Sequence, residues 1–114
     1  MIILSVLIAI NLLLFAAKTW AKNGLPKWYY GSVYQRIARC ETGERWTWNS
    51  GAYQGAFGFW YGTWDAYKPR GYPREAYQAT PVQQLRVAVI VAHRVGFGAW
   101  GCYKNVSWVR NGSW

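Results

Sequence analysis

The chain contains two cysteines, Cys40 and Cys102, which stand near opposite ends of its polar part. An apolar N-terminal segment precedes them, and disulfides form in proteins that leave the reducing cytoplasm. We therefore expect one disulfide, with two free buried thiols as the alternative. A metal site is not expected, because His93 adds only one further ligand at unsuitable spacing. A bridge of this span is worth about 4 kcal/mol in the chain-entropy model, which is a large share of the stability of a small domain.

Residues 2–17 form an apolar run without charge. The run is at the short edge of a membrane span, for which about 20 residues are typical, and Trp20 follows it as an interfacial aromatic residue. We predict that residues 1–21 form a retained transmembrane anchor. The alternative is a cleaved signal peptide, although no basic residue precedes the apolar run. The orientation stays open, since Lys18 and Lys22 after the run favour a cytoplasmic location for that side.

After the anchor, the sequence predicts a linker over residues 22–31, one domain over residues 32–104 and a loose tail over residues 105–114. Ser32 and Gln35 form a capping-box pattern, which predicts a helix that ends at Gly43. Thr80 and Gln83 repeat this pattern around Pro81 and predict a central, buried helix that ends at Gly96. Its buried face is expected to carry Val82, Leu85, Val89 and Ala92, with Val87, Ile90 and Val91 beside them.

Between these helices, the sequence predicts a short hairpin and a short helix. Trp46–Trp48 and Tyr53–Phe59 have the composition of strands, and Asn49, Ser50 and Gly51 between them have that of a turn. Thr63 is expected to cap a helix that carries Trp64 and Tyr67. The fold class is therefore α+β, mainly α, with one small domain and a short β-hairpin.

Aromatic residues and positive charge dominate the composition. The chain has nine Trp and nine Tyr residues, and its net charge is +9. So many rings exceed what a small interior can hold, and several should line a groove for a ligand with flat, partly apolar faces, such as a sugar, a nucleobase or a lipid. The charge favours an anionic partner: nucleic acid, anionic lipid or an acidic cell-wall polymer.

Glu41 is one of only four acidic residues and directly follows Cys40. A general acid must hold a proton near neutral pH. Contact with aromatic rings raises the pKa of a carboxyl group because it disfavours the anion, and Trp46 and Tyr53 are the candidates for such an apolar wall. Glu41 at the end of the first helix is therefore the candidate catalytic residue.

These residues fall into a recognisable pattern. The segment from Tyr34 to Cys102 resembles the resuscitation-promoting-factor and transglycosylase-like domain, a small member of the lysozyme-like superfamily. The first motif of that family, W-x-x-L/I/V-A-x-C-E-S-G-x-x-W, corresponds here to Tyr34, Ile37, Ala38, Cys40, Glu41, Thr42, Gly43 and Trp46. The later motifs correspond to Asn49, Ser50, Gly51, Tyr53, Gly55, Ala56, Phe57, Phe59, Thr63, Trp64, Tyr67, Gln83, Gln84, Phe97, Trp100 and Cys102.

The resemblance implies a lysozyme-like fold, a bridge between Cys40 and Cys102, and Glu41 as the catalytic acid/base. It also implies cleavage of the MurNAc–GlcNAc β-1,4 bond of peptidoglycan. Two positions depart from the family pattern, because Gly58 and Val95 stand where the family has glutamines. Both changes remove polar groups that could contact substrate.

We predict a lytic transglycosylase rather than a hydrolase, because neither Glu44, Asp65 nor Glu75 is a convincing second carboxylate. Glu44 is expected to face solvent beside Arg45. No cofactor or metal is expected. The candidate substrate-binding residues are Trp46, Tyr53, Thr63, Trp64 and Trp100, with core packing as the alternative for Trp64 and Trp100.

The alternative function is a non-catalytic, cationic, Trp-rich protein that binds the cell wall or a membrane. It leaves the position of Glu41 after Cys40 unexplained. Nucleic acid is not an expected partner, since the chain shows no recognised binding module. The expected partners are peptidoglycan strands and, through the anchor, a membrane, with the domain facing the cell wall. A phage-encoded protein would instead sit in a virion, and a cleaved one would be secreted. The oligomeric state stays open.

Overall fold

The computed structural model describes residues 24–112 of the 114-residue chain. The predicted anchor at residues 1–21 and the last two residues of the predicted tail lie outside this range. Within residues 24–112, no helix has the length and apolar character needed to cross a bilayer.

The described residues form a mainly helical domain with one two-stranded hairpin, which confirms the expected α+β class. The helices are α1 (Val33–Thr42), α2 (Tyr61–Tyr67), α3 (Pro81–Arg94), α4 (Gly101–Asn105) and α5 (Ser107–Asn111). The strands are β1 (Tyr53–Gln54) and β2 (Phe59–Trp60), and short 3₁₀ helices span Lys27–Tyr29, Ala76–Gln78 and Phe97–Ala99.

Helix α1 begins and ends where its sequence predicts. The Ser32 hydroxyl accepts a hydrogen bond from the Gln35 backbone N–H at 3.3 Å, and Gly43 ends the helix with a φ of 72°. That left-handed conformation suits glycine because it lacks a Cβ. Ile37 and Ala38 are fully buried on the inner face. Glu41 lies in the last turn of α1, next to the end of the helix.

The hairpin differs from the expected one. Tyr53 pairs with Trp60 and Gln54 with Phe59 in antiparallel register, whereas Trp46 and Thr47 form a turn rather than a strand. The two-strand pairing closes through residues 55–58, whose terminal glycines take positive φ values. This tight turn lets β1 pair with the chain that directly follows it.

Helix α2 begins at Tyr61, so Thr63 lies inside the helix and does not cap it. Helix α3 has the predicted capping box between Thr80 and Gln83, with Pro81 as its first residue.

The buried face of α3 is rotated from the predicted one. Gln84, Leu85, Val87, Ala88 and Val91 are buried, while Val82 is 37% exposed. Residues at i, i+3, i+4 and i+7 from Gln84 share this face. The apolar pattern misplaced it because a glutamine occupies its centre.

The described parts of the predicted linker and tail pack against the domain. Leu25 and Tyr29 are buried in the core, and so is Val109 of α5. The Arg36 Nε donates a 2.8 Å hydrogen bond to the Val109 carbonyl, which joins α5 to α1. The linker prediction relied on Gly24 and Pro26, but the large apolar side chains beside them bury enough area to order this segment.

Candidate active site

A disulfide joins Cys40 of α1 to Cys102 of α4, with Cα atoms 6.1 Å apart. The expected bridge is confirmed, and the alternative of two free thiols is excluded. The bridge brings the start of α4 beside the end of α1. As a result, the Cys102 backbone N–H donates a 3.1 Å hydrogen bond to Oε1 of Glu41.

Glu41 is half-buried, and burial raises the pKa of its carboxyl group, while the hydrogen bond from Cys102 opposes that rise. Burial has this effect because it removes water that would stabilise the anion. Among residues 24–112, the ion pairs are Arg39–Glu44 and Lys68–Asp65, and Glu41 takes part in neither. The carboxyl group therefore keeps its proton to a higher pH than an ordinary glutamate does.

The hairpin turn forms a wall beside Glu41. A Cβ atom placed on Gly58 would lie 3.7 Å from the Glu41 Cβ and 3.8 Å from its Oε2. Side chains from two other elements hold the turn in place. The Thr42 hydroxyl donates to the Ala56 carbonyl at 2.6 Å, and the Trp100 indole N–H donates to the Phe57 carbonyl at 3.1 Å.

A narrow cleft of about 100 Å³ borders the same turn. Its lining residues are Tyr53, Gly58, Phe59, Trp60, Thr63, Val91, Ala99 and Trp100. Three of the predicted substrate-binding residues, Tyr53, Thr63 and Trp100, thus share one cleft. Gly58 belongs to both the cleft and the surroundings of Glu41, so the carboxyl group adjoins the cleft at this residue.

The exposure of the cleft aromatics decides what each can do. Tyr53 is 54% exposed, so its ring is free to contact a ligand. Trp100 is only 5% exposed and packs against Phe57 and Phe97. Trp100 therefore forms the floor of the cleft and belongs to the core as well.

Trp64 does not line the cleft. It is 1% exposed, its indole N–H donates to the Pro73 carbonyl at 3.0 Å, and its ring packs against Phe59. A ring without accessible surface cannot stack on a sugar, so the structure corrects the expected binding role and favours the alternative of core packing.

Trp46 does not line this cleft either. Its ring packs between Tyr29 and Phe57 and lines a separate cavity of about 400 Å³, which also contains Leu25 and Gln35. The structure thus places the Gly58 wall, rather than Trp46, beside the Glu41 carboxyl group.

Trp60 is a cleft residue that the sequence analysis missed. It is 49% exposed and is the cross-strand partner of Tyr53, so the two rings project from the same face of the hairpin. Its ring lies against Gly62, so a side chain at that position would force the ring to move. Only the hairpin register places Trp60 beside Tyr53. The sequence prediction had the wrong register because it placed the first strand at Trp46–Trp48.

Glu44 was expected to face solvent beside Arg45, but it belongs to a hydrogen-bond network instead. Its side chain is 19% exposed. Its carboxylate accepts hydrogen bonds from the Tyr29 hydroxyl at 2.9 Å and from the Arg39 Nε at 3.2 Å. Burial and the neighbouring Glu44 charge raise the pKa of Tyr29 well above its usual range. Glu44 therefore fastens the segment around Tyr29 to the end of α1.

The two other acidic residues are also engaged. The Lys68 Nζ donates to Asp65 at 2.7 Å, and this contact lowers the pKa of Asp65. The Gln54 side chain donates to Glu75. No cluster of three or more potential metal ligands occurs within residues 24–112.

Comparison with known proteins agrees with this geometry. A family model described as a transglycosylase-like domain matches residues 29–103, which include Glu41, both cysteines and the cleft. The chain belongs to the transglycosylase-like family. The matched segment begins at Tyr29 and so includes part of the N-terminal segment that packs on the core of this transglycosylase-like domain.

Several resuscitation-promoting factors are similar to this transglycosylase-like chain. Rpf1 of Corynebacterium glutamicum is 41% identical over 70 residues, which are 60% of this chain and 36% of the relative. RpfB of Mycolicibacterium smegmatis is 32% identical over 83 residues, which are 70% of this chain and 23% of the relative. Rpf of Micrococcus luteus is 34% identical over 69 residues, which are 60% of this chain and 30% of the relative. The similarity thus spans about a third or less of each relative.

The raised pKa of Glu41 predicts a pH-dependent cost in stability. Because the folded-state pKa lies above the unfolded one, wild type loses stability relative to Glu41→Gln as the pH rises from the ordinary glutamate pKa through the raised value. Glutamine can still accept the hydrogen bond from Cys102 and carries no charge at any pH. The melting temperature of the variant minus that of wild type should therefore increase as the pH is raised from 4 to 8. A constant difference across this range would contradict the raised pKa.

Proposed function

We propose that this domain cleaves the MurNAc–GlcNAc β-1,4 bond of peptidoglycan as a lytic transglycosylase, with Glu41 as its acid and base. The observation that carries the proposal is the position of Glu41. A half-buried carboxyl group with a raised pKa adjoins an aromatic cleft, and the three other acidic residues are bonded to other side chains. A single acid of this kind fits a reaction in which the substrate supplies the remaining groups.

The proposed reaction uses Glu41 twice. Its proton passes to the glycosidic oxygen as the bond to the anomeric carbon of MurNAc breaks, and the GlcNAc part leaves as an alcohol. The N-acetyl group of MurNAc stabilises the positive charge on that carbon. The C6 hydroxyl of the same sugar then attacks the anomeric carbon and gives its proton to the Glu41 carboxylate. This step forms the 1,6-anhydro sugar and restores the acid.

The cleft offers contacts for such a substrate. Tyr53 and Trp60 expose large aromatic faces from one side of the hairpin, which suits stacking on sugar rings. In the proposal, the Thr63 hydroxyl hydrogen-bonds an N-acetyl group. Gly58 and Val95 lack the glutamine side chains of the family pattern, so this site relies on ring contacts more than on amide hydrogen bonds.

The proposed location follows from the substrate. Peptidoglycan lies outside the cytoplasmic membrane, so we propose that residues 1–21 anchor the domain there with the cleft on the wall side. A secreted form would result if the segment were cleaved, and a virion location if the protein served a phage. The anchor reading is supported by the apolar run over residues 2–17.

The products distinguish transglycosylation from hydrolysis. Digestion of purified peptidoglycan, followed by mass spectrometry of the fragments, should give 1,6-anhydroMurNAc ends, which are lighter by one water than reducing ends. The matched control is the same digestion with Glu41→Gln, which should release neither product. Reducing MurNAc ends as the main product would show hydrolysis, and binding to peptidoglycan without any cleavage would favour the non-catalytic alternative.

A further inference from the structure

Gln84 is a polar side chain with no exposed surface, and it lies in the middle of the buried face of α3. Its Oε1 accepts a hydrogen bond from the Ala56 backbone N–H at 2.9 Å. Its Nε2 donates to the carbonyls of Trp46 at 2.9 Å and Ala79 at 3.0 Å. The carboxamide thus uses its oxygen and both N–H groups. An apolar residue here would remove the partner of three backbone groups, the buried Ala56 N–H and Ala79 carbonyl and the partly buried Trp46 carbonyl.

The target of the Gln84 oxygen is the hairpin turn over residues 55–58. A Cβ atom on Gly55 would lie 2.5 Å from the Gln84 Oε1, so the close approach of turn and side chain requires a glycine at this position. Thr42 holds the Ala56 carbonyl from α1, and Gln84 holds the Ala56 N–H from α3. The peptide groups of Ala56 are therefore clamped between two helices.

The other end of this turn is Gly58, which packs against the Glu41 side chain. The Gly58 backbone N–H is bonded to the Gly55 carbonyl at 3.0 Å, so displacement at one end of the turn is passed to the other. A turn that moved outwards would open a path for water to the Glu41 carboxyl group.

We propose that Gln84 is a positioning residue, which fixes Ala56 and thereby holds Gly58 against Glu41, so that the turn covers one side of the half-buried carboxyl group and limits its contact with water. The inference rests on the proposed function, in which Glu41 is the acid. Gln84 itself touches no substrate, because it has no accessible surface. Its proposed effect on catalysis passes through the hydrogen bond to Ala56 of the hairpin turn.

The test compares Gln84→Met with Gln83→Met in the full chain. The control removes a glutamine from the adjacent position of α3, where it bonds the Thr80 N–H in the capping box. Both variants should melt at a lower temperature than wild type. Gln84→Met should also lower kcat by about tenfold or more, since small displacements at an acid cost this much, with a smaller change in KM. Gln83→Met should keep the wild-type kcat.

The decisive readout is the titration of the Glu41 carboxyl carbon by NMR, which needs no enzymatic activity. In Gln84→Met, Glu41 should titrate at a lower pH than in wild type, because water reaches the carboxyl group. In Gln83→Met, its titration should not change. An unchanged titration in a folded Gln84→Met variant would overturn the inference and leave Gln84 a purely structural residue.

If Gln84→Met fails to fold, Thr42→Val decides the question, because it releases the Ala56 carbonyl from the other side of the turn. It should shift the Glu41 titration in the same direction, and an unchanged titration would again overturn the inference. Full activity of Glu41→Gln would instead refute the proposed function, while the titrations would still report on the turn. The two failures are thus distinguishable.

Discussion

Glu41→Gln should abolish glycan cleavage while the domain stays folded. A glutamine amide cannot deliver a proton to the glycosidic oxygen, and general acid catalysis contributes about 10² to 10⁴ in rate. We expect a fall of about 10³-fold or more in the release of soluble fragments from purified peptidoglycan. The fold should persist because the glutamine oxygen can accept the hydrogen bond that Cys102 donates to Glu41.

The matched control is Asp65→Asn, which makes the same chemical change at an acid outside the cleft. The Asp65 side chain is 76% exposed and bonded to Lys68, so the variant should cleave at the wild-type rate. Binding to insoluble peptidoglycan should persist in both variants. A Glu41→Gln protein that cleaves within about tenfold of wild type would refute general acid catalysis at this residue.

Removal of the disulfide should lower the free energy of unfolding more than any other substitution proposed for this domain. The bridge joins residues 62 positions apart, and a loop of that length contributes about 4 kcal/mol in the chain-entropy model. Domains of this kind have total stabilities of about 5–15 kcal/mol. The double variant Cys40→Ser/Cys102→Ser should therefore unfold at a much lower denaturant concentration, as measured by the loss of near-UV circular dichroism.

The same variant should also lose activity at denaturant concentrations too low to unfold it, because the bridge holds the Cys102 N–H against the Glu41 carboxyl group. Wild type treated with a reductant provides the control, since it keeps both side chains and breaks only the bond between them. It should match the double variant in both stability and rate. Equal stability of the oxidised and reduced proteins would contradict the assigned contribution.

Local signals in the sequence predicted the two long helices well. The caps at Ser32, Gly43 and Thr80 depend on residues within one turn of each other, and each is where the pattern indicated. The position of Glu41 directly after Cys40 likewise made it the candidate acid, and its catalytic role stays a prediction. These inferences need no knowledge of tertiary packing.

The distribution of the aromatic rings was not predictable in the same way. Trp60 and Trp64 are four residues apart in the same segment, yet one is half-exposed beside the cleft and the other is buried. Their difference depends on the hairpin register and on which ring Pro73 and Phe59 enclose. Gln84 presents the same difficulty, because a hydropathy pattern gives a glutamine no reason to be in the centre of a core.

The docking of Leu25 and Tyr29 into the core has a consequence for the reach of the enzyme. With residues 1–21 in a membrane as proposed, a free spacer would let the domain sample glycan at varied heights. Here Leu25 is already part of the packed core, so only residues 22–24 separate the proposed anchor from it. The domain would then reach only glycan strands within about one domain diameter of the membrane. In a wall that thickens from the inside, these are the most recently added strands.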